Sequence, residues 1–208
     1  MKKIIFTLLV FVLIFLIYYF NINKNIHYVS IGDFLSYGKN SYSNNINNYY
    51  KNKIDKYINV SKIDDYRVTS LINDINYNKE IIVNKEKIKI QNILIKANYI
   101  TLSIGMNDIL NKKKISYDYI DQLLNDIEKL FMLIRKYNKD RIDYLSFYNG
   151  INNNELIEYT NKRLEKLCEK NNINYIDISE LNNYIIDTSI TEEGTAYITN
   201  QILNFTKK

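Results

Sequence analysis

Two short strings carry most of the groups in this chain that could do chemistry. Gly32-Asp33-Phe34-Leu35-Ser36-Tyr37-Gly38 and Gly105-Met106-Asn107-Asp108 each follow an apolar run, His27 to Ile31 (HYVSI) and Ile100 to Ile104 (ITLSI). They bring carboxylates (Asp33, Asp108), a hydroxyl (Ser36) and an amide (Asn107) to strand exits, which is a reasonable site signature. Similar strings also serve as turns and helix caps. The two most reactive side-chain types occur once each. With one cysteine, Cys168, there is no intramolecular disulfide and no multi-cysteine metal site, and with one histidine, His27, no histidine cluster. His27 stands at the start of its run, roughly 16 Å from the Gly32 exit at strand rise, too far to act as base there. Cys168 falls at core spacing with Leu164 and Leu167 and reads as a packing residue. No metal ligand set and no cofactor motif is present: neither a P-loop nor GxGxxG follows a strand, which argues against a nucleotide-binding protein.

The elements that position these groups follow from periodicity. Both runs read as buried parallel strands. Further strands are expected at Ile142 to Phe147, Ile173 to Ile178 and around Tyr57 to Ile63. Helices are expected at Val68 to Asn76, Lys87 to Lys96, Tyr117 to Tyr137, Asn154 to Glu169 and Glu192 to Phe205. The third is the clearest: Ile120, Leu123, Leu124, Ile127, Leu130 and Ile134 share one face, and Ser116 is placed to cap it. Strict alternation of strand and helix implies right-handed crossovers and a parallel sheet covered on both faces, whose ligands bind beyond the carboxyl ends of the strands.

The 208 residues allow one ordinary domain plus a tail. The tail is residues 1–25 and the domain 26–208. After Lys2 and Lys3, the uncharged run Ile4 to Phe20 reaches about 25 Å as a helix, just enough to span a bilayer core. Tyr18, Tyr19, Phe20 and Asn21 flank it in place of the small residues that signal cleavage needs. The expectation is an N-terminal transmembrane helix, with the N-terminus cytoplasmic and the domain extracytoplasmic; secretion after signal cleavage is the alternative. The net charge of +5 comes from 28 basic and 23 acidic residues without a basic block, so a nucleic-acid partner is not expected. Lys112, Lys113 and Lys114 read as a solvated loop.

Taken in order, VSIGDFLSYG, TLSIGMND and TEEGTAYI resemble the blocks of the GDSL (SGNH) hydrolase family of esterases and lipases. The resemblance covers essentially the whole chain after the anchor. It implies a three-layer α/β/α sandwich around a five-stranded parallel sheet in flavodoxin-like order. It also implies ester hydrolysis without a cofactor, with Asn107 as side-chain oxyanion donor and Asp33, Gly105 and Asp108 around the cleft.

The reactive groups depart from that pattern. Phe34 stands where the family's nucleophilic serine belongs. The stretch Asp64-Asp65-Tyr66-Arg67 has no glycine to supply the second oxyanion donor. Ahead of the last helix, Ser189 takes the histidine position and Ile186 the aspartate position, with Asp187 one place away; a frame using Asp187 puts Ile190 at the histidine. Losing nucleophile or base from such a triad costs about a millionfold in turnover. Oxyanion donors and binding alone give about 10³ to 10⁴ over water. Two readings follow. One is a pseudohydrolase that binds an acyl, lipid or glycan ligand at the cell surface. The other is an ester hydrolase or deacylase with a rearranged site, in which Ser36 or Ser189 is the nucleophile and Asp33 or Asp187 assists.

Overall fold

The computed structural model describes residues 10–12, 26–38, 40–61, 66–83, 85–186 and 189–205. Five strands form the central sheet: β1 (Ile26–Gly32), β2 (Ile54–Asn59), β5 (Tyr99–Ser103), β6 (Arg141–Leu145) and β7 (Asn174–Ile176). All pairings are parallel and the order is β2-β1-β5-β6-β7. Counting sheet strands alone this is the 2-1-3-4-5 doubly wound order, as expected. Helices α1 (Tyr42–Tyr49) and α7 (Glu192–Phe205) pack on each other as one outer layer. The other layer contains α2 (Val68–Asn76), α3 (Ile90–Lys96), α5 (Tyr117–Tyr137) and α6 (Asn154–Lys170). A short helix, α4 (Met106–Leu110), follows β5.

The sequence makes these elements for identifiable reasons. Strands β1 and β5 are covered on both faces, so Tyr28 to Ile31 and Tyr99 to Ser103 are buried without alternation. In α5 every residue on the periodic apolar face is buried, and the Ser116 hydroxyl accepts from the Tyr119 N-H at 3.2 Å, as its capping position requires. Ser41 and Asn153 cap α1 and α6 in the same way, and Thr191 accepts from the Gly194 N-H at 3.1 Å at the start of α7. Near the amino ends of the strands, register stacks Tyr57 of β2, Tyr28 of β1 and Tyr99 of β5 in a row, with ring centroids 5.3 and 5.0 Å apart. The Arg141 guanidinium of β6 lies 4.6 Å from the Tyr99 ring and continues the row. Its charge is answered by Asp143, fully buried, which also accepts from Tyr99 Oη at 2.7 Å and Asn174 Nδ2 at 2.7 Å.

Several boundaries differ from the sequence expectation. The strand sought around Tyr57 to Ile63 occupies Ile54–Asn59. Strand β6 stops at Leu145 because the Asn161 amide takes over the Phe147 backbone, accepting its N-H at 2.9 Å and donating to its carbonyl at 2.7 Å. Strand β7 is only three residues long; beyond it, Ile178 N-H turns to the Ser146 hydroxyl. The helix expected from Lys87 begins at Ile90, since Glu86–Lys89 (β4) pairs antiparallel with Glu80–Val83 (β3) in a ribbon with no strong alternating pattern. A second ribbon, β8 (Ile185–Ile186) with β9 (Ser189–Ile190), precedes α7. Among the described residues no helix is long and apolar enough to cross a membrane. Of the run Ile4 to Phe20, only Val10 to Val12 are described, helical and exposed; the rest lies outside the described residues.

Candidate active site

The carboxyl ends of β1 and β5 lie side by side and present both strings. They meet at close quarters: a Cβ on Gly32 would fall 2.3 Å from the Ser103 carbonyl oxygen, so only glycine allows this approach, and the Asp33 N-H donates to that oxygen at 2.9 Å. Gly105 opens the second string with φ at +110°, and a Cβ there would meet the Phe147 ring at 2.8 Å. The two glycines that follow the strands therefore shape the rim of the cleft.

Asp33 is 1% exposed. One carboxyl oxygen accepts from the Leu35 N-H at 3.2 Å and bends the chain into the single turn Phe34–Ser36. The other has no hydrogen-bond partner among the described residues. Burial, and then the Asp108 charge, push this carboxyl up to about 7, so that at neutral pH it is divided between acid and carboxylate. The adjoining cavity, lined by Leu35, Met106 and Phe147 among others, is about 10 Å³, room for a single water.

Phe34, which the resemblance aligns with the family's nucleophile, is half-buried, with its ring edge-on to Tyr148 at 6.4 Å between centroids. Ser36 is fully buried. Its hydroxyl donates to the Asp33 main-chain carbonyl at 3.1 Å, accepts from Ser103 Oγ at 3.2 Å and contacts Ser61 Oγ. Its carbonyl takes the Asn59 amide at 2.7 Å and the Ser43 hydroxyl at 2.8 Å. These partners are hydroxyls, amides and carbonyls, so the hydroxyl ties together the loops after β1 and β2 and is not handed to a base.

Asn107 is 6% exposed and its side-chain nitrogen has no hydrogen-bond partner among the described residues. A buried amide donor without a partner is what an oxyanion donor requires before its ligand arrives. Asp108, by contrast, is committed to structure. Its carboxylate accepts from the Val68 N-H at 3.1 Å at the start of α2, where the helix dipole favours negative charge, and its carbonyl accepts from Tyr119 Oη at 2.8 Å.

The site positions ahead of α7 are reached only in part. Ser189 pairs with Ile186 across the β8–β9 ribbon, and Asp187 lies outside the described residues, as do Asp64 and Asp65. His27 sits at the far end of β1, with Nε2 3.3 Å from Asp55. Cys168 is buried in α6, and burial pushes its thiol up to about 12, which leaves it inert. Lys112 to Lys114 are exposed, as expected of a solvated loop. Among the described residues no group of three or more His, Cys, Asp and Glu side chains could hold a metal ion. The sequence reading missed Phe147 and Tyr148, whose rings face Gly105 and Phe34; the available signal was an aromatic pair at a strand exit.

No family model matches the chain, and no curated protein matches its sequence. Solved structures do. TesA matches over 87% of this chain and 98% of its own, with a TM-score of 0.67 and 10% identity. The psychrotrophic esterase EstA from a Pseudoalteromonas species, inhibited by monoethylphosphonate, matches over 88% and 97%, with a TM-score of 0.64 and 12% identity. A lipolytic protein of the G-D-S-L family from Desulfitobacterium hafniense matches over 86% and 99%, with a TM-score of 0.61 and 13% identity. With the sheet order and the two strand-exit strings, these likenesses show that the chain has the fold of the SGNH, or GDSL, esterases and lipases.

Proposed function

We propose that this is a membrane-anchored, extracytoplasmic SGNH-fold protein that has lost ester hydrolysis and acts by binding. The observation that carries the reading is Phe34: at the position that supplies the attacking oxygen stands a phenyl ring packed on Tyr148. A ring offers no nucleophile, and the cavity beside Asp33 has room for no more than a single water. The retained donor, Asn107, together with the half-buried ring of Phe34, suits an acyl, lipid or glycan ligand that is held without being cleaved. Anchoring rests on the uncharged run Ile4 to Phe20.

The second reading, an ester hydrolase acting on acyl esters of lipid or cell-wall glycan, draws on Asp33. A carboxyl pushed up to about 7 has the acidity of a working base, and Ser36 lies three residues away. Against it, Ser36 is sealed from solvent and bonds the Asp33 backbone, not its carboxylate.

A fluorophosphonate probe applied to the full chain in detergent separates the two. No serine labelling is expected; stoichiometric labelling of one serine would discard the binding reading. If Phe34→Ser combined with Ser189→His creates esterase activity absent from the parent, the scaffold geometry is intact and only the reagents are missing.

A further inference from the structure

All five sheet strands run the same way, so their starting residues, Ile26, Ile54, Tyr99, Arg141 and Asn174, gather at one end of the domain, opposite the candidate site. The segments feeding those strands are rich in exposed cations. Lys51 and Lys53 precede β2, Lys96 precedes β5, Lys136 and Lys139 precede β6, and Lys170 precedes β7. An open cleft of about 730 Å³ lies between the ends of α5 and α6, lined by Arg135, Lys136, Lys139 and Lys170 among others. Arg135 spends its donors on carbonyl oxygens of Asp140, Asn171 and Asn172, fastening the two loops together without neutralising its own charge. The acids here are fewer: Asp55 faces His27, Glu128 pairs with Lys170 at 2.6 Å, which leaves the Lys170 side chain largely exposed, and Asp140 and Glu169 remain. At the opposite end the exposed acids Asp177, Glu180, Glu192 and Glu193 offset Lys112 to Lys114.

The sequence attaches the apolar run to this same basic end, through residues 21–25 and the start of β1 at Ile26. Five extended residues reach at most about 18 Å, so an anchored chain would keep these cations close to the lipid surface. The field of that surface decays over about 8 Å at physiological salt.

We propose that the basic end is a membrane-seating surface for anionic phospholipid headgroups, which turns the candidate cleft away from the bilayer; the orientation rests on the anchor reading above. Full-length chain in vesicles of phosphatidylcholine, with or without about one-third phosphatidylglycerol, would be acylated with a membrane-impermeant amine reagent and read by mass spectrometry. Lys53, Lys139 and Lys170 should label about fivefold more slowly in the anionic vesicles, and Lys112 to Lys114 equally in both. The protection should vanish at about 1 M salt, where the Debye length is about 3 Å, and the matching protection of Lys51, Lys96 and Lys136 should vanish in the K53E/K139E/K170E variant. Equal rates in the two lipids would overturn the proposal. Flotation with neutral vesicles at high salt tests the anchor separately. Should flotation fail, the basic end stands or falls on salt-sensitive flotation with anionic vesicles alone.

Discussion

Replacing Asp33 by asparagine tests the electrostatics of the site without changing its shape. The amide oxygen can keep the bond from the Leu35 N-H, while the second oxygen, which has no partner among the described residues, gives way to a neutral group of similar size. The sign follows from the raised acidity constant. Below the unfolded value of 3.8 both states hold the proton and Asp33 contributes equally to each. Between that value and about 7 the unfolded chain ionises while the native one stays protonated, so the native protein loses stability as pH rises, at about 1.4 kcal/mol per pH unit. Above about 7 the loss is complete. Integrated, it amounts to about 4 kcal/mol as an upper estimate, because one water in the adjoining cavity would solvate the charge and reduce it. Asp33→Asn removes this dependence. The variant should therefore match the parent near pH 4 and exceed it by up to about 4 kcal/mol at pH 8. Urea unfolding followed by tyrosine circular dichroism, at intervals from pH 4 to 8, measures the difference, and titrations common to both proteins cancel. A difference that stays flat with pH, or one that favours the parent as pH rises, refutes the reasoning.

Three other outcomes are expected. Gly105→Ala should cost about 2 to 4 kcal/mol, since it combines a positive φ with a methyl 2.8 Å from the Phe147 ring; chemical denaturation reads it, and a loss below about 1 kcal/mol would mean the ring moves aside freely. Asp143→Ala should destabilise by about 3 to 5 kcal/mol, because Arg141 and Tyr99 lose a shared buried acceptor; Arg141→Met added to it should recover part of the loss. Cys168 should resist iodoacetamide in the native protein at pH 8 and react once urea unfolds the chain, as mass spectrometry of the alkylated protein would show.

The sheet and most helices were legible because their patterns are complete: β1 and β5 carry no charged residue between Tyr28 and Gly32 or between Tyr99 and Ser103, and α5 repeats its apolar face over about four turns with a serine at its cap. The ribbons were not. Glu86–Lys89 carries charged residues on both sides, and its strand character comes from pairing with β3 across a turn in which Lys85 adopts a φ of +70°. Strand ends failed where side chains replace the ladder, as Asn161 does at Phe147. At the site, the sequence placed Asp33, Asn107 and the two glycines at adjacent strand exits. It did not separate Asp108, bound to two helix starts, from Asn107, whose side-chain nitrogen has no partner among the described residues, because that division depends on contacts with Val68 and Tyr119 outside the string. Nor did local pattern expose the burial of Ser36, which follows from hydroxyls on three separate segments: Ser61 after β2, Ser103 at the end of β5 and Ser43 in α1.

The row of Tyr57, Tyr28, Tyr99 and Arg141 has an implication for how such a protein can change over evolutionary time. Shifting any of these parallel strands by one position would send a ring or the Arg141 guanidinium to the wrong side of the sheet, and a slip of β6 against its neighbours would part Asp143 from Tyr99 and Asn174, so the alignment of the strands is locked from the end remote from the cleft. The loops at the other end inherit their positions from that lock whatever they contain. Scaffold and strand-exit loops are thus encoded by different residues, and position 34 can change its side chain while the frame that presents it stays in place.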